Sequence, residues 1–331
     1  MKVLIIRFSS IGDLTQALSI PSLIKKYDAQ AEVHFVTRLD LSTLLENNPH
    51  IHRIWSLDRK KGLQGLLQLI YELRKENFSH IYDAHNNLRS FMIRHLVSAP
   101  NKLVRPMMRF KRFMLIRFQK NYFEKPFSGQ RDLLMPLEKW GFAFFLPATP
   151  QLFLSPLENA EAELLLAKHG LQDFIVLVPS AAYFLKRWPL AHWQRLIQLN
   201  PNQKFVVLAG VEDSFTSELN VYANVTNLTG QTTLLASAAI IKKAKSVVSN
   251  DTGLLHFSEQ LGKPTIALMG PAPFGFPSRP STKILERHLA CRPCSKHGQG
   301  PCINPNFHEC LQSISPEEVS IELQNLKEIK I

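Results

Sequence analysis

What the chain has little of narrows its class before any motif is read. Across 331 residues no apolar stretch approaches the length of a membrane span, which takes roughly 20 consecutive apolar residues. Cysteine is scarce: the chain has four, the first of them Cys291, too few and too bunched for a disulfide scaffold. Acids are outnumbered, with 27 Asp and Glu against 39 Lys and Arg and a net charge of +12. A basic excess points to an anionic partner, a lipid surface or nucleic acid. No zinc-finger spacing and no aromatic RNA-binding signature accompanies it, so nucleic acid is not expected as a partner. Short-period repeats and low-complexity segments are also missing, which sets aside repeat architectures.

What is present is the composition of an ordinary globular protein, 45% hydrophobic and 20% charged. The length suits two domains of about 150 residues each. The first residues carry an apolar run that Arg7 breaks, with no small-residue cleavage site behind it. They read as a first strand rather than a signal peptide, and a cytoplasmic location is the expectation.

Strand-like segments at 3–8, 32–37, 51–56 and 79–83 alternate with helical spacing over 14–27, 63–77 and 88–97. Between 142 and 156 the periodicity lapses and Pro147, Pro150 and Pro156 mark a linker. Alternation then restarts, with strands at 174–178, 205–209, 244–248 and 265–269 and helices at 158–169, 190–199, 214–222 and 233–243. Such alternation predicts parallel sheets covered by helices. The expected fold is α/β, two Rossmann-like domains over 1–150 and 151–331 facing across a cleft, the default binding site.

In a parallel sheet the loops after the strands face the ligand, and the chemistry-bearing residues sit on such loops. Strand 3–8 runs into Ser9-Ser10-Ile11-Gly12-Asp13, where Asp13 is either a helix cap or a catalytic carboxylate. Ser180 follows 174–178 and leads to Lys186-Arg187-Trp188-Pro189. Lys186 there is a point charge for a diphosphate or a solvent-facing lysine. Glu212 follows 205–209 and can accept hydrogen bonds from ribose hydroxyls. Asn250-Asp251-Thr252-Gly253-Leu254-Leu255-His256 reads as a strand, a tight turn and a helix N-terminus, whose unpaired N–H groups suit a phosphate. His256 is a site residue or a buried structural histidine.

Further basic and sulfur-bearing groups stand apart. Arg59, Lys60 and Lys61 form a loop suited to acceptor phosphates or carboxylates, or simply a solvated one. Lys102, Arg105, Arg109, Lys111, Arg112, Arg117, Lys120 and Lys125 face the single acid Glu124, with Phe110, Phe113, Phe118 and Phe123 interleaved. That stretch is a solvated helix with an apolar face or a surface for anionic lipid. Cys291, Cys294, Cys302 and Cys310, with His297 and His308 among them, can hold a structural zinc ion or stay free thiols.

Three motifs in this order, Arg-x-Ser-Ser-Ile-Gly-Asp at 7–13, Lys-Arg-Trp-Pro at 186–189 and Asn-Asp-Thr-Gly-x-x-His at 250–256, resemble the bacterial lipopolysaccharide heptosyltransferases, glycosyltransferase family nine. Residues 83–90 and 270–273 fall where that family has similar stretches, so the resemblance covers essentially the whole chain. It implies a GT-B fold with an acceptor-binding N-terminal half and a nucleotide-sugar-binding C-terminal half. It also implies inverting, metal-independent transfer of heptose from ADP-heptose to a lipid-linked acceptor, the lipopolysaccharide inner core. The place of work would be the inner face of the cytoplasmic membrane, with no cofactor required for catalysis. By the same resemblance Asp13 is the general base, Lys186 holds the donor phosphates, and Asp251, Thr252, Gly253 and His256 form the donor turn. Ser180 and Glu212 join the donor side; Arg59, Lys60, Lys61 and Arg89 are candidates on the acceptor side. Pro179-Ser180-Ala181 and Ala272 depart from the family pattern. They leave open a GT-B transferase or epimerase for another nucleotide-sugar, beside a non-catalytic protein that binds anionic lipid or nucleic acid.

Overall fold

A computed structural model describes residues 1–328. The chain folds as two compact units, Met1–Met108 with Gly129–Phe153, and Arg109–Ser128 with the chain from Leu154 onward.

The first unit is a five-stranded parallel sheet: β1 (Lys2–Ile6), β2 (Glu32–Arg38), β3 (Arg53–Leu57), β4 (His80–Asp83) and β5 (Asn101–Val104), in the order β3-β2-β1-β4-β5. Val3 lies opposite Val33 and Ile5 opposite Phe35 across β1 and β2, and Ile6 opposite Asp83 across β1 and β4. Val3, Leu4, Ile5 and Ile6 are all fully buried, because helices cover both faces of a parallel sheet and its central strands are apolar on both sides. The helix expected over 14–27 is two helices, Ile11–Ala17 and Ser19–Tyr27, meeting at Leu18. Pro21 explains the break: it has no N–H to give the Ala17 carbonyl, and it is tolerated only in the first turn of the second helix.

The second unit has six parallel strands: β6 (Phe174–Val178), β7 (Lys204–Val207), β8 (Val225–Asn227), β9 (Ser246–Asn250), β10 (Thr265–Leu268) and β11 (Thr282–Leu285). Their order is β11-β10-β9-β6-β7-β8. Counted from β6, that is the 3-2-1-4-5-6 winding of a dinucleotide-binding sheet, with the reversal of direction between β6 and β9. Trp193, Leu196 and Ile197 of the helix Leu190–Leu199 pack into a core with Phe205, Val248, Ile266 and Leu311. Ser155 starts the helix Pro156–Lys168, its hydroxyl accepting from the Glu158 N–H while the Glu158 carboxylate accepts from the Ser155 N–H, a reciprocal cap.

The sequence expectation lacks β5, β8 and β11, three or four residues each. All three are sheet edges, and an edge strand is only partly covered, so no continuous apolar run announces it. Residues 214–222, expected as an α-helix, form the 3-10 helix Ser214–Val221.

The expected division into 1–150 and 151–331 differs from the structure in two places: residues 151–153 fall with the first unit, and one longer segment changes sides. Residues 109–128 belong with the second unit. Phe123 packs edge-on against Phe274 with centroids 5.6 Å apart, Phe127 meets Phe276 at 5.5 Å, and Arg112 lies 4.3 Å over the Phe274 ring. Those aromatic contacts join residues some 150 positions apart, where local sequence pattern carries no information. Residues 329–331 of the expected second domain lie outside the described residues.

A buried histidine sets a pH limit on the first unit. His34 on β2 is 1% exposed, and its Nδ1 accepts from the Trp55 indole N–H at 3.1 Å. Burial, helped by the positive charge of Lys2, pushes it down to about 4. The unfolded chain takes up this proton near 6.5 and the folded one near 4, so protonation favours unfolding and stability falls as pH drops through that window. His34→Gln keeps an acceptor for Trp55 and should flatten the fall in urea midpoint between those two pH values. An unchanged slope would assign the fall to other groups.

Candidate functional site

The first unit's candidate residues gather where β1 and β4 end side by side. Arg7 leaves β1 and is 5% exposed. One of its terminal nitrogens donates to the Ala84 carbonyl at 2.6 Å, just beyond β4, and the other pairs with Asp13 Oδ2 at 2.7 Å. The Ser10 hydroxyl donates to the same oxygen at 2.9 Å. Asp13 keeps 34% of its side chain exposed, so the carboxylate is fixed from behind and open in front. Burial disfavours its charge, but Arg7, then Arg105 and the hydrogen bonds from Ser10, outweigh that and hold the carboxyl well below the usual carboxylate range. His85, on the β4 loop, is pushed down to about 4 by burial and by Arg7, against the pull of Asp13, so it stands neutral at physiological pH.

The basic candidates line the same edge of this sheet. Arg89 is exposed in the first turn of the helix Leu88–Leu96, which the Asn87 side chain caps by accepting from the Ser90 N–H at 2.9 Å. That loop follows β4 and adjoins β1. Arg59, Lys60 and Lys61 form an exposed 3-10 turn after β3, with β2 between it and β1. Arg7 is one of the residues that sequence reasoning left out of the site, beside Asn250 and Glu259 of the second unit. Its signal was available, a charge inserted directly after an apolar strand.

In the second unit β9, β6 and β7 are neighbours, so the loops carrying Asp251, Lys186 and Glu212 leave adjacent strand ends. Asn250, fully buried at the end of β9, accepts from the Trp188 N–H at 3.0 Å and donates to the Pro179 carbonyl at 2.7 Å. One amide thereby fastens both ends of the loop that bears Ser180 and Lys186. Lys186 Nζ meets Asp251 Oδ2 at 2.6 Å, both side chains largely buried. Gly298, at φ +81°, packs on the lysine stem, and a Cβ there would sit 2.8 Å from Lys186 Cγ.

The remaining donor-side residues differ in posture. Thr252 stands as the N-cap of the helix Gly253–Gln260 without a side-chain cap bond, leaving the first-turn N–H groups to a ligand or water. His256 is turned inward, 4% exposed, with Nδ1 3.1 Å from Glu259 Oε2. Glu259, fully buried, also accepts from the Ser278 and Arg279 N–H groups at 2.6 and 2.8 Å. Ser180 is buried on its loop. Glu212 is exposed, whereas its neighbour Asp213 accepts from the Gly210 N–H and pairs with Arg187, both at 3.1 Å.

The four cysteines are free thiols. Burial and the neighbouring sulfurs push the thiols of Cys294 and Cys310 up. Among the described residues, Glu32, His34 and His52 bring candidate metal-ligand atoms within 4.8 Å of one another and the cysteines do not. The structure therefore does not close the zinc site that their spacing allows. The triad is no better a metal site, because His34 Nδ1 accepts from Trp55 and the ring proton must sit on Nε2, the nitrogen facing Glu32.

Two parallel Rossmann-like units, with charged groups on the loops that follow their strands, are the parts of a GT-B fold. The sequence profile of glycosyltransferase family 9 (heptosyltransferase) matches residues 66–305, and the chain belongs to that family. It is 24% identical to lipopolysaccharide heptosyltransferase 2 of Salmonella typhimurium, over 98% of each chain. A family 9 glycosyl transferase from Veillonella parvula superposes with a TM-score of 0.80 at 20% identity, over 98% of this chain and 96% of that one. The ADP-heptose lps heptosyltransferase II of E. coli does so with 0.71 at 22%, over 98% of each. The protein is a glycosyltransferase of the heptosyltransferase type.

Asn250→Ala would leave the Trp188 N–H and the Pro179 carbonyl buried without partners. The expected cost is about 2–4 kcal/mol in urea denaturation. A loss below about 1 kcal/mol would show that the loop holds itself.

Proposed function

We propose that the protein transfers heptose from ADP-heptose to the inner core of lipopolysaccharide, inverting the anomeric centre and using no metal ion in the chemical step. The observation that carries this is Asp13, a partly exposed carboxylate kept ionised by buried Arg7 in a chain of the heptosyltransferase family. The acceptor hydroxyl attacks the anomeric carbon opposite the departing ADP, and Asp13 takes its proton. A carboxylate held this acidic is a weak base toward a free hydroxyl. The proton therefore passes late, once the forming bond has made the hydroxyl acidic.

The leaving diphosphate needs positive charge already in position. Lys186 supplies it, its ammonium fixed by Asp251, together with the first-turn N–H groups at Gly253. Ser180, Thr252 and Glu212 complete the donor contacts, and His256 acts through Glu259 by fixing the helix. Arg59, Lys60, Lys61 and Arg89 meet the anionic groups of the acceptor. In this scheme the first unit holds the acceptor and the second the donor. A lipid-linked acceptor brings the enzyme to the inner face of the cytoplasmic membrane, and no cofactor is needed.

Asp13→Asn should leave ADP binding unchanged in calorimetry and lower kcat by about 100-fold or more; turnover within about tenfold of the parent would remove Asp13 from the base role. Because Asp13 is already ionised, it should put no acidic limb on the parent's pH profile above pH 5, roughly one unit over an ordinary aspartate. Arg7→Gln removes the charge that opposes burial, raises the Asp13 pKa, and should make such a limb appear.

Lys186→Ala should weaken ADP by more than tenfold (about 1.4 kcal/mol), since it also leaves Asp251 facing the phosphates. Unchanged affinity would move the phosphate contact elsewhere. A panel of nucleotide-sugars in thermal shift separates ADP-heptose from other donors.

A further inference from the structure

One cationic, aromatic stretch is used by neither group of site residues. The helix Arg109–Phe118 reads Arg-Phe-Lys-Arg-Phe-Met-Leu-Ile-Arg-Phe, and of its side chains Leu115 alone is buried. Phe110 is 70% exposed, Phe113 57% and Phe118 53%. Phe110 and Phe113 are three positions apart, hence on one face. Phe113 and Phe118 meet edge-on at 5.6 Å, so the three exposed rings form an aromatic ridge along this helix. Tyr122, four residues beyond the helix, is also exposed.

Cations rim this ridge. Arg109, Arg117 and Lys120 are exposed around it, while Arg112 is turned back onto Phe274. The far side of the segment is tied down by Gln119, which donates to the Pro293 carbonyl at 3.0 Å, and by Phe123 on Phe274. The ridge is thus held outward by a fixed base. Contiguous apolar surface with a charged rim marks an interaction site, and the rim determines the partner. A second copy of this chain would bring cations against cations. Nucleic acid would satisfy the cations and stack on the rings, but the helix carries no neutral polar side chain to contact base edges beside them.

We propose that this helix docks the protein on an anionic bilayer, with Phe110, Phe113 and Phe118 entering the acyl boundary and Arg109, Arg117 and Lys120 meeting lipid phosphates. Docking of this kind needs neither donor nor acceptor, so it stands or falls apart from the transfer chemistry.

Flotation of the full chain with phosphatidylcholine vesicles, with and without phosphatidylglycerol, tests it. The parent should float with the anionic vesicles only, and salt should release it. F110S/F113S and R109E/R117E should each lower the vesicle partition coefficient by at least about tenfold, the first by removing the apolar anchor and the second by reversing the charges that meet the lipid phosphates. Their Tm, and transfer to a water-soluble acceptor fragment, should match the parent. Should a double variant lower Tm, the single changes F110S and R117E carry the test. A parent that does not float, or variants that float as the parent does, would overturn the proposal. So would variants that lose self-association or oligonucleotide binding while vesicle binding is unchanged.

Discussion

The second unit's site geometry hangs on one buried amide. Asn250 is fully buried, and its carbonyl and its NH2 each reach a different backbone position, Trp188 and Pro179. Nothing in a parallel sheet fixes the loops between a strand and its helix; the ladder ends where β6 and β9 end. A side chain that donates to one end of such a loop and accepts from the other removes most of its freedom at once. Lys186, inside that loop, then needs only Asp251 and the packing of Gly298 on its stem to point one way. Because Asn250 and Asp251 are consecutive, a single strand end fixes both the loop and the charge it carries.

The first unit reaches the same end by a different route. Asp13 is fixed by Arg7, and Arg7 by the Ala84 carbonyl of the neighbouring strand's loop. Each unit thus carries an ion pair in which the more buried or better-anchored partner sets the position of the other. A lone buried charge is costly, and a paired one far less so. The pairs therefore let charged groups stand at a partly enclosed site without shifting to their neutral forms. Their order of exposure differs, however. In the first unit the carboxylate faces outward and the guanidinium is hidden, whereas in the second both partners are largely buried.

Much of this was legible in the residues themselves. The central strands declare themselves as apolar runs because both of their faces are covered, and the turn at Asp251 is where an apolar run meets Asp-Thr-Gly. The edges β5, β8 and β11 were not legible, since half-covered strands of three or four residues have no such pattern. Nor was the crossing of residues 109–128 into the second unit, which rests on aromatic pairs such as Phe123 with Phe274. Among site residues, those defined by their own loop were visible: Asp13, Lys186, Asp251. Those defined by what they touch elsewhere were not: Asn250 through Pro179 and Trp188, and Glu259 through Ser278 and Arg279. Arg7 was visible as a charge after an apolar strand, but its partner Ala84 was not. His256 is the instructive case. Its position in the turn argues for a ligand contact, while the fold gives its Nδ1 to Glu259.

The lowered pKa of Asp13 bears on what kind of base it makes in the proposed reaction. A stronger base would need a carboxylate whose charge is less well compensated, and burial would then raise its pKa and make its charge depend on pH. Arg7 prevents that by holding the charge, at the cost of proton affinity. The gain is constancy: the carboxylate is in its working form at every physiological pH, and its position does not depend on whether substrate is present. In the proposed reaction the burden of making the hydroxyl acidic would then move to the other reactant, to how readily the donor's diphosphate departs. Lys186 and the Gly253 helix terminus would act on that departure, so on this proposal a base held ionised in the first unit calls for charge stabilisation from the second.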